Sequence, residues 1–335
     1  ALGLLMAEIR ATSDEEPLQN WDDPEVVTVG RGKRLVTSAK LRLATQASAL
    51  IVDDSISGFL APLGIGQEEN AFANFHSAPT AVRGRIEGVR RGFAFQRDFE
   101  VILQRRVLKA MQQHHTQRGA IVLHGQSGVG KSVALARLAQ SVKESALGAV
   151  LYASERLPNP SEISTFLAEV DRVPATTLLI VDVAAPPSRF DELLAALRSR
   201  GHRVVVVGTS YRIERAITLA DDRFIEAPDQ LSPSEQKALE GLAFKFNVKG
   251  KVASSRPHAL ARFYWQLPGS RHLLAQGLGR EARFVQRNIS RQGSARTVTR
   301  QLTGLGAALA AAGYADAGLT LLPAEESAVA ELDGS

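Results

Sequence analysis

The chain contains no cysteine. Disulfides, cysteine-held structural zinc and a thiol nucleophile are thereby excluded, and a reducing compartment is the environment that fits. Long apolar runs are missing too. No stretch reaches 18 residues, and the nearest, residues 304–322, is rich in alanine and glycine and broken by Asp316. No membrane span is therefore expected. Residues 1–6 lack a basic flank and meet Glu8 early, unlike a signal peptide. The expected location is the cytoplasm, and a start at Ala1 rather than Met reads as a fragment. No histidine spacing suits a metal. His114 and His115 are adjacent, so on a helix they point about 100° apart and chelate poorly. A Ser/His/Asp hydrolase elbow is also absent.

What the chain does have is ordinary globular material. Its 335 residues allow two domains, or one large domain with appendages, and 44% apolar with 22% charged residues is typical. The net charge is only +5, carried by 31 arginines and 9 lysines. That excess permits an anionic partner without requiring one.

One stretch organises the rest. Gly125-Gln126-Ser127-Gly128-Val129-Gly130-Lys131-Ser132 reads as G-x-x-x-x-G-K-[ST]. An apolar, β-branched run (120–123) precedes it and a helical pattern (133–139) follows. That context makes it a phosphate-binding loop. The glycines let successive N–H groups turn inward, toward the positive end of the next helix. Lys131 would reach the β- and γ-phosphates, and the Ser132 hydroxyl would ligate Mg²⁺.

Around the loop, strands are expected at 148–153, 177–182 and 203–208, with a fifth at 223–225. Helices fall between them, at 161–170 and 189–200. This alternation predicts a parallel α/β sheet over about residues 120–227. Residues 91–230 form the expected core. Residues 231–335 read as a truncated helical lid, opened by the capping box Ser232-Pro233-Ser234-Glu235. Residues 1–90 are the least legible and read as the remnant of an effector or linker region. Strands are expected there at 26–29 and 48–52. A helix is expected over 35–50, with Leu35, Leu41, Leu43 and Ala47 inward, and a loop over 58–80. The Asp53-Asp54 pair resembles an ATPase's acidic strand end, but it precedes the phosphate loop and reads as a strand ending in a turn.

Several residues could carry chemistry. Asp182 ends a continuous apolar strand, so its carboxylate belongs at the sheet edge where ligands of α/β folds bind, holding Mg²⁺ opposite Ser132. Val183 follows where many hydrolysing ATPases carry a glutamate, which leaves the general base unassigned; Glu155 is a weak substitute. Thr209, Ser210 and Arg212 follow the fourth strand. They read either as γ-phosphate contacts, with Arg212 neutralising transition-state charge, or as a polar turn. Phe95 and Arg97 precede the first core helix, where adenine often packs. Arg280, Arg283, Arg287 and Arg291 form one helical face, extended by Arg296 and Arg300. Nucleic-acid binding is the sharper reading of that face, and a solvated or acid-facing surface the plainer one.

The whole set resembles a STAND-class P-loop NTPase of the bacterial "novel STAND" type, a relative of AAA+ ATPases. The resemblance covers about residues 93–290. It rests on Arg97-Asp98-x-Glu100, the phosphate loop, Leu178–Asp182, Gly208-Thr209-Ser210-Tyr211-Arg212, the Ser-x-x-Glu helix start and Phe263-Tyr264-Trp265-Gln266-Leu267-Pro268. It implies an ASCE-type α/β core with a helical lid and a nucleotide-driven switch, ADP-bound and closed at rest, with ATP and Mg²⁺ as ligands; slow hydrolysis is expected from the missing acid after Asp182. It further implies self-association on activation, a fused or partner effector domain, and a role in prokaryotic defence or signal transduction. A nucleic-acid-handling ATPase using the arginine face is the runner-up. A small-molecule kinase would need acceptor-site acids that the lid does not offer.

Overall fold

A computed structural model describes residues 26–281, except 30–32, 65, 78–80, 174, 212, 214–220, 249–253, 256–257, 268–269, 271–272, 274–275 and 278. The chain begins with a two-stranded antiparallel hairpin, β1 (Val26–Val29) and β2 (Lys33–Val36), followed by helix α1 (Ala39–Gln46) and the short strand β3 (Leu50–Ile51). Helices α2 (Gln67–Ser77), α3 (Val82–Arg90) and α4 (Asp98–Gln112) come next. Then β-strands and helices alternate: β4 (Ile121–His124), α5 (Lys131–Glu144), β5 (Val150–Ala153), α6 (Pro160–Asp171), β6 (Thr177–Ala184), α7 (Pro187–Arg198), β7 (Val204–Ser210) and β8 (Phe224–Glu226). Helices α8 (Pro233–Lys245) and α9 (Ala259–Gln266) follow.

Six of the strands form one sheet in the order β3-β5-β6-β7-β4-β8. Every pairing is parallel except that of β3 on β5. Strand β7 lies between β4, which feeds the phosphate loop, and β6, which carries Asp182. The fold is an α/β P-loop NTPase with that inserted strand, as the sequence predicts.

The continuous apolar runs explain this sheet. Leu178–Val181 and Val204–Val207 are wholly buried, because helices cover both faces. Alternate residues divide between the faces, as the two-residue strand period demands. Leu178, Ile180, Val205 and Val207 meet α4 and α5, while Leu179, Val181, Val204 and Val206 meet α6 and α7.

The first ninety residues depart most from expectation. The predicted helix over 35–50 is half strand: Lys33–Val36 pairs with Val26–Val29. Helix α1 buries Thr45 and half-buries Leu41, while Leu43 is 71% exposed and Ala47 is also exposed. The Thr45 hydroxyl donates back to the Leu41 carbonyl, so a polar residue serves on the inner face where an apolar one was expected. The predicted loop over 58–80 contains α2, whose Phe72 and Phe75, three residues apart, share one buried face. Asp53 and Asp54 end β3 in a turn, as expected. Asp53 caps the short 3₁₀ helix Asp54–Ser57, and Asp54 accepts from Thr28 and pairs with Lys143 of α5.

These segments share the hydrophobic core with residues 91–230. Strand β3 extends the main sheet, and Phe72 of α2 stacks on Phe246, just past α8, at 4.2 Å and 6° between ring planes. The N-terminal helices and the helices after the sheet therefore pack against one another. Phe72→Ala should cost about 3–5 kcal/mol, the usual range for emptying a buried phenylalanine site. Chemical denaturation measures it; a loss below about 0.5 kcal/mol would restore the loop reading.

Candidate functional site

The loop between β4 and α5 has the backbone a phosphate seat needs. Gly125 sits at φ +154, and a Cβ there would come within 2.4 Å of the Ala227 carbonyl. Gly130 is left-handed at φ +93 and caps α5, so the chain turns sharply into the helix without a side-chain penalty. The loop is clamped from behind. The Arg97 guanidinium donates from Nη1 to the Val129 carbonyl at 2.8 Å, and from Nη2 to the carbonyls of Pro228 (2.9 Å) and Gln230 (3.3 Å). Its Nε donates to Glu235 Oε1 at 2.8 Å, and both side chains are 3% exposed. Arg97 is thus a buried clamp joining the loop to the start of α8, with four hydrogen bonds made. The Ser232 capping box forms as predicted, with Glu235 accepting from the Ser232 N–H while Ser232 accepts from the Glu235 N–H.

Lys131 folds onto its own loop. Its Nζ donates to the carbonyls of Gly125 at 2.6 Å and Gln126 at 2.7 Å, with the Tyr211 ring 5.8 Å away. Burial lowers its pKa to about 8, against the pull of Glu281 and Asp182. Ser132 Oγ donates to Asp182 Oδ1 at 2.9 Å, which brings together the two residues assigned to Mg²⁺ from the sequence. The other Asp182 oxygen accepts from Arg85 Nη1 at 2.7 Å and from the Tyr152 hydroxyl at 3.1 Å. Burial raises the Asp182 pKa, opposed by Arg85, Ser132, Tyr152 and Lys131. The same burial, together with the Asp182 charge, pushes the Tyr152 phenol well above its usual value.

Arg85, from α3, was not foreseen. Its partner lies 97 residues away, and no local pattern announces it. Tyr152 ends a buried strand run, and only its hydroxyl hinted at a polar duty.

These groups line an open cavity of about 400 Å³, with Arg85, Lys131, Ser132, Asp182, Thr209 and Arg280 on its walls. Ser127 and Gly128 also line it, whereas Gln126 and Val129 are buried within the loop. Thr209 and Ser210 are the last two residues of β7 rather than following it; both are buried, and Thr209 lines the cavity. Arg212 lies outside the described residues, as do Arg283, Arg287, Arg291, Arg296 and Arg300. Glu155 is exposed beyond β5, and half-buried Val183 follows Asp182.

A smaller cavity of about 20 Å³ lies behind Gly130, lined by Phe95, Val133, Leu242, Phe263, Tyr264 and His76. Burial holds the His76 pKa down to about 4, so its Nε2–H donates to the Phe93 carbonyl at 3.0 Å and Nδ1 is left without a proton. Phe95 lines this cavity, whereas Arg97, the other residue considered for adenine packing, is bonded to the loop and to Glu235.

The donor set suits magnesium. A hydroxyl and a carboxylate, both hard oxygen donors, stand 2.9 Å apart at the loop. Among the described residues no cluster of three His, Asp or Glu side chains could hold a metal. Phosphate oxygens and water would have to complete such a sphere.

No protein-family model matches the chain, and no curated protein sequence does. Solved structures align at the level of fold. DnaA of Aquifex aeolicus bound to AMPPCP aligns over 59% of this chain and 70% of its own, with 12% identity and a TM-score of 0.31. A chain of the E. coli MS115-1 HORMA:CdnC:Trip13 complex aligns over 64% and 77%, with 10% identity and a TM-score of 0.28. PCH-2 of C. elegans aligns over 72% and 73%, with 13% identity and a TM-score of 0.28. No described helix is long and apolar enough to cross a membrane.

The clamp makes a direct prediction. Arg97→Ala leaves Glu235 buried without its guanidinium and should cost about 3–5 kcal/mol. Adding Glu235→Ala should restore part of that loss. Additive losses in a double-mutant cycle would show that the two residues do not work as a pair.

Proposed function

We propose that the chain is a nucleotide-dependent switch that binds ATP or ADP with Mg²⁺ at Gly125–Ser132 and hydrolyses ATP slowly. The observation that carries this reading is the Ser132–Asp182 contact at 2.9 Å beside a glycine-built loop that opens a helix. Phosphate oxygens would take the inward N–H groups of the loop, and the Lys131 ammonium would leave the Gly125 and Gln126 carbonyls for them. Ser132 and Asp182 would hold magnesium, which supplies charge neutralisation for the β- and γ-phosphates. Asp182 would then trade its pairing with Arg85 for the metal, freeing a guanidinium in the same cavity. Phe95, Val133 and Phe263 line the cavity of about 20 Å³ beside Gly130, room for about one water, so a nucleobase would have to part these side chains to pack there.

Slow turnover follows from what stands beside Asp182. Val183 cannot polarise water, Glu155 is exposed beyond the next strand, and Asp182, the acid among the described residues that line the cavity, would be engaged by the metal. The switch reading draws support from the origin of the walls. Arg85 comes from before the core and Arg280 from after α9, so phosphate at the loop would act on both flanks through differential contacts. The STAND resemblance adds self-association on activation, an effector domain, and a setting in prokaryotic defence or signal transduction. Of the six arginines behind the nucleic-acid reading, Arg280 lines the same cavity as the loop, and the other five lie outside the described residues.

At about a hundred times its Kd, Mg·ATP should add roughly 2.7 kcal/mol of stability to the wild type, and Lys131→Ala should abolish most of it. Thermal melting is the assay. A wild-type curve that ignores Mg·ATP would end the nucleotide reading.

A further inference from the structure

The phosphate loop already holds an anion of the protein's own. The Ser127 N–H donates to Glu281 Oε2 at 2.7 Å, and the Ser127 hydroxyl donates to the Gly277 carbonyl at 3.0 Å. Glu281 is 7% exposed, so its carboxylate sits in the protein rather than in solvent. Its charge also reaches Lys131, whose protonated form it favours. A carboxylate offers what a phosphate offers such a loop, namely negative oxygen acceptors for backbone N–H groups at a helix start. One N–H cannot serve both anions at full strength, and two anions in one cradle repel.

We propose that Glu281 is an internal stand-in for a nucleotide phosphate, and that nucleotide binds by displacing it from Ser127. This inference rests on the nucleotide reading of the loop and adds the competitor that nucleotide must defeat. Nucleotide carries more charge than one carboxylate and gains Lys131 as well, so it prevails once its concentration suffices. Until then the apparent affinity is reduced by the fraction of molecules in which the seat is filled. Ser270, Leu273, Gly277 and Arg280 line the same cavity as the loop. Ser270 Oγ donates to the His76 carbonyl at 3.0 Å, which fastens the upstream end of this wall to α2 independently of the loop. Displacement would therefore part Glu281 from the loop at one end of this wall while the Ser270 bond holds the other.

The test measures binding of ATP, ADP and inorganic pyrophosphate by titration calorimetry to the full chain and to its Glu281→Gln and Glu281→Ala variants. Both variants should bind all three probes about tenfold more tightly, because a neutral side chain no longer contests the seat. Wild-type binding that is intact but no weaker than that of the variants would overturn the displacement while leaving the nucleotide reading in place. Absence of binding in all three proteins would remove both. Hydrogen exchange on the unaltered chain covers the case of a variant that does not fold. Saturating ATP should speed exchange in the peptide spanning residues 277–281, and unchanged or slower exchange would overturn the proposal.

Discussion

Charge removed from water must be answered, and that constraint governs the centre of this molecule. Lys131, Asp182, Arg97 and Glu281 all lie at or behind one glycine-built loop, and each is answered in a different way. Lys131 takes two loop carbonyls, and Asp182 takes Arg85, Ser132 and Tyr152. Arg97 takes Glu235, and Glu281 takes the Ser127 N–H. The sheet supplies the platform for this arrangement. Strands β4 and β6 end at the same edge with β7 between them, so the loop and the acid face one cavity.

The same constraint gives the site its character. On the proposed reading, a magnesium-bound triphosphate would rearrange three of these four arrangements: the ammonium would turn, the guanidinium would yield the carboxylate, and the glutamate would leave the loop. Arg85 and Glu281 belong to segments on either side of the core, so those exchanges are felt outside it. An apolar Val183 beside Asp182 fits the proposal of a protein that holds its ligand rather than consuming it quickly. The Arg97 clamp, by contrast, exchanges nothing. It fixes the back of the loop to the start of α8.

Much of this was legible in the sequence, for identifiable reasons. The core strands are long β-branched runs buried on both faces, a pattern that needs no tertiary information. The loop and the Ser232–Glu235 capping box are local motifs whose geometry is set within a few residues. The failures lie where pairing is long-range or the apolar signal is thin. Helix α2 carries only two phenylalanines in a polar segment, so its burial depends on Phe93, Phe246 and Phe263 arriving from elsewhere. Leu43 is exposed and Thr45 buried because a back-bonded hydroxyl satisfies the inner face. Arg85 and Glu281 reach partners 97 and 154 residues away, and Arg97 reaches one 138 away, distances over which no periodicity speaks.

The central claim is that this chain exchanges its own charged side chains for nucleotide at Gly125–Ser132. A structure determined with magnesium and a non-hydrolysable ATP analogue tests it most directly. The account predicts triphosphate oxygens on the loop N–H groups, Lys131 turned toward them, the metal between Ser132 and Asp182, and the Glu281 carboxylate away from Ser127. Analogue bound elsewhere, or a loop on which Lys131 and Glu281 keep their present partners under saturating analogue, would contradict it.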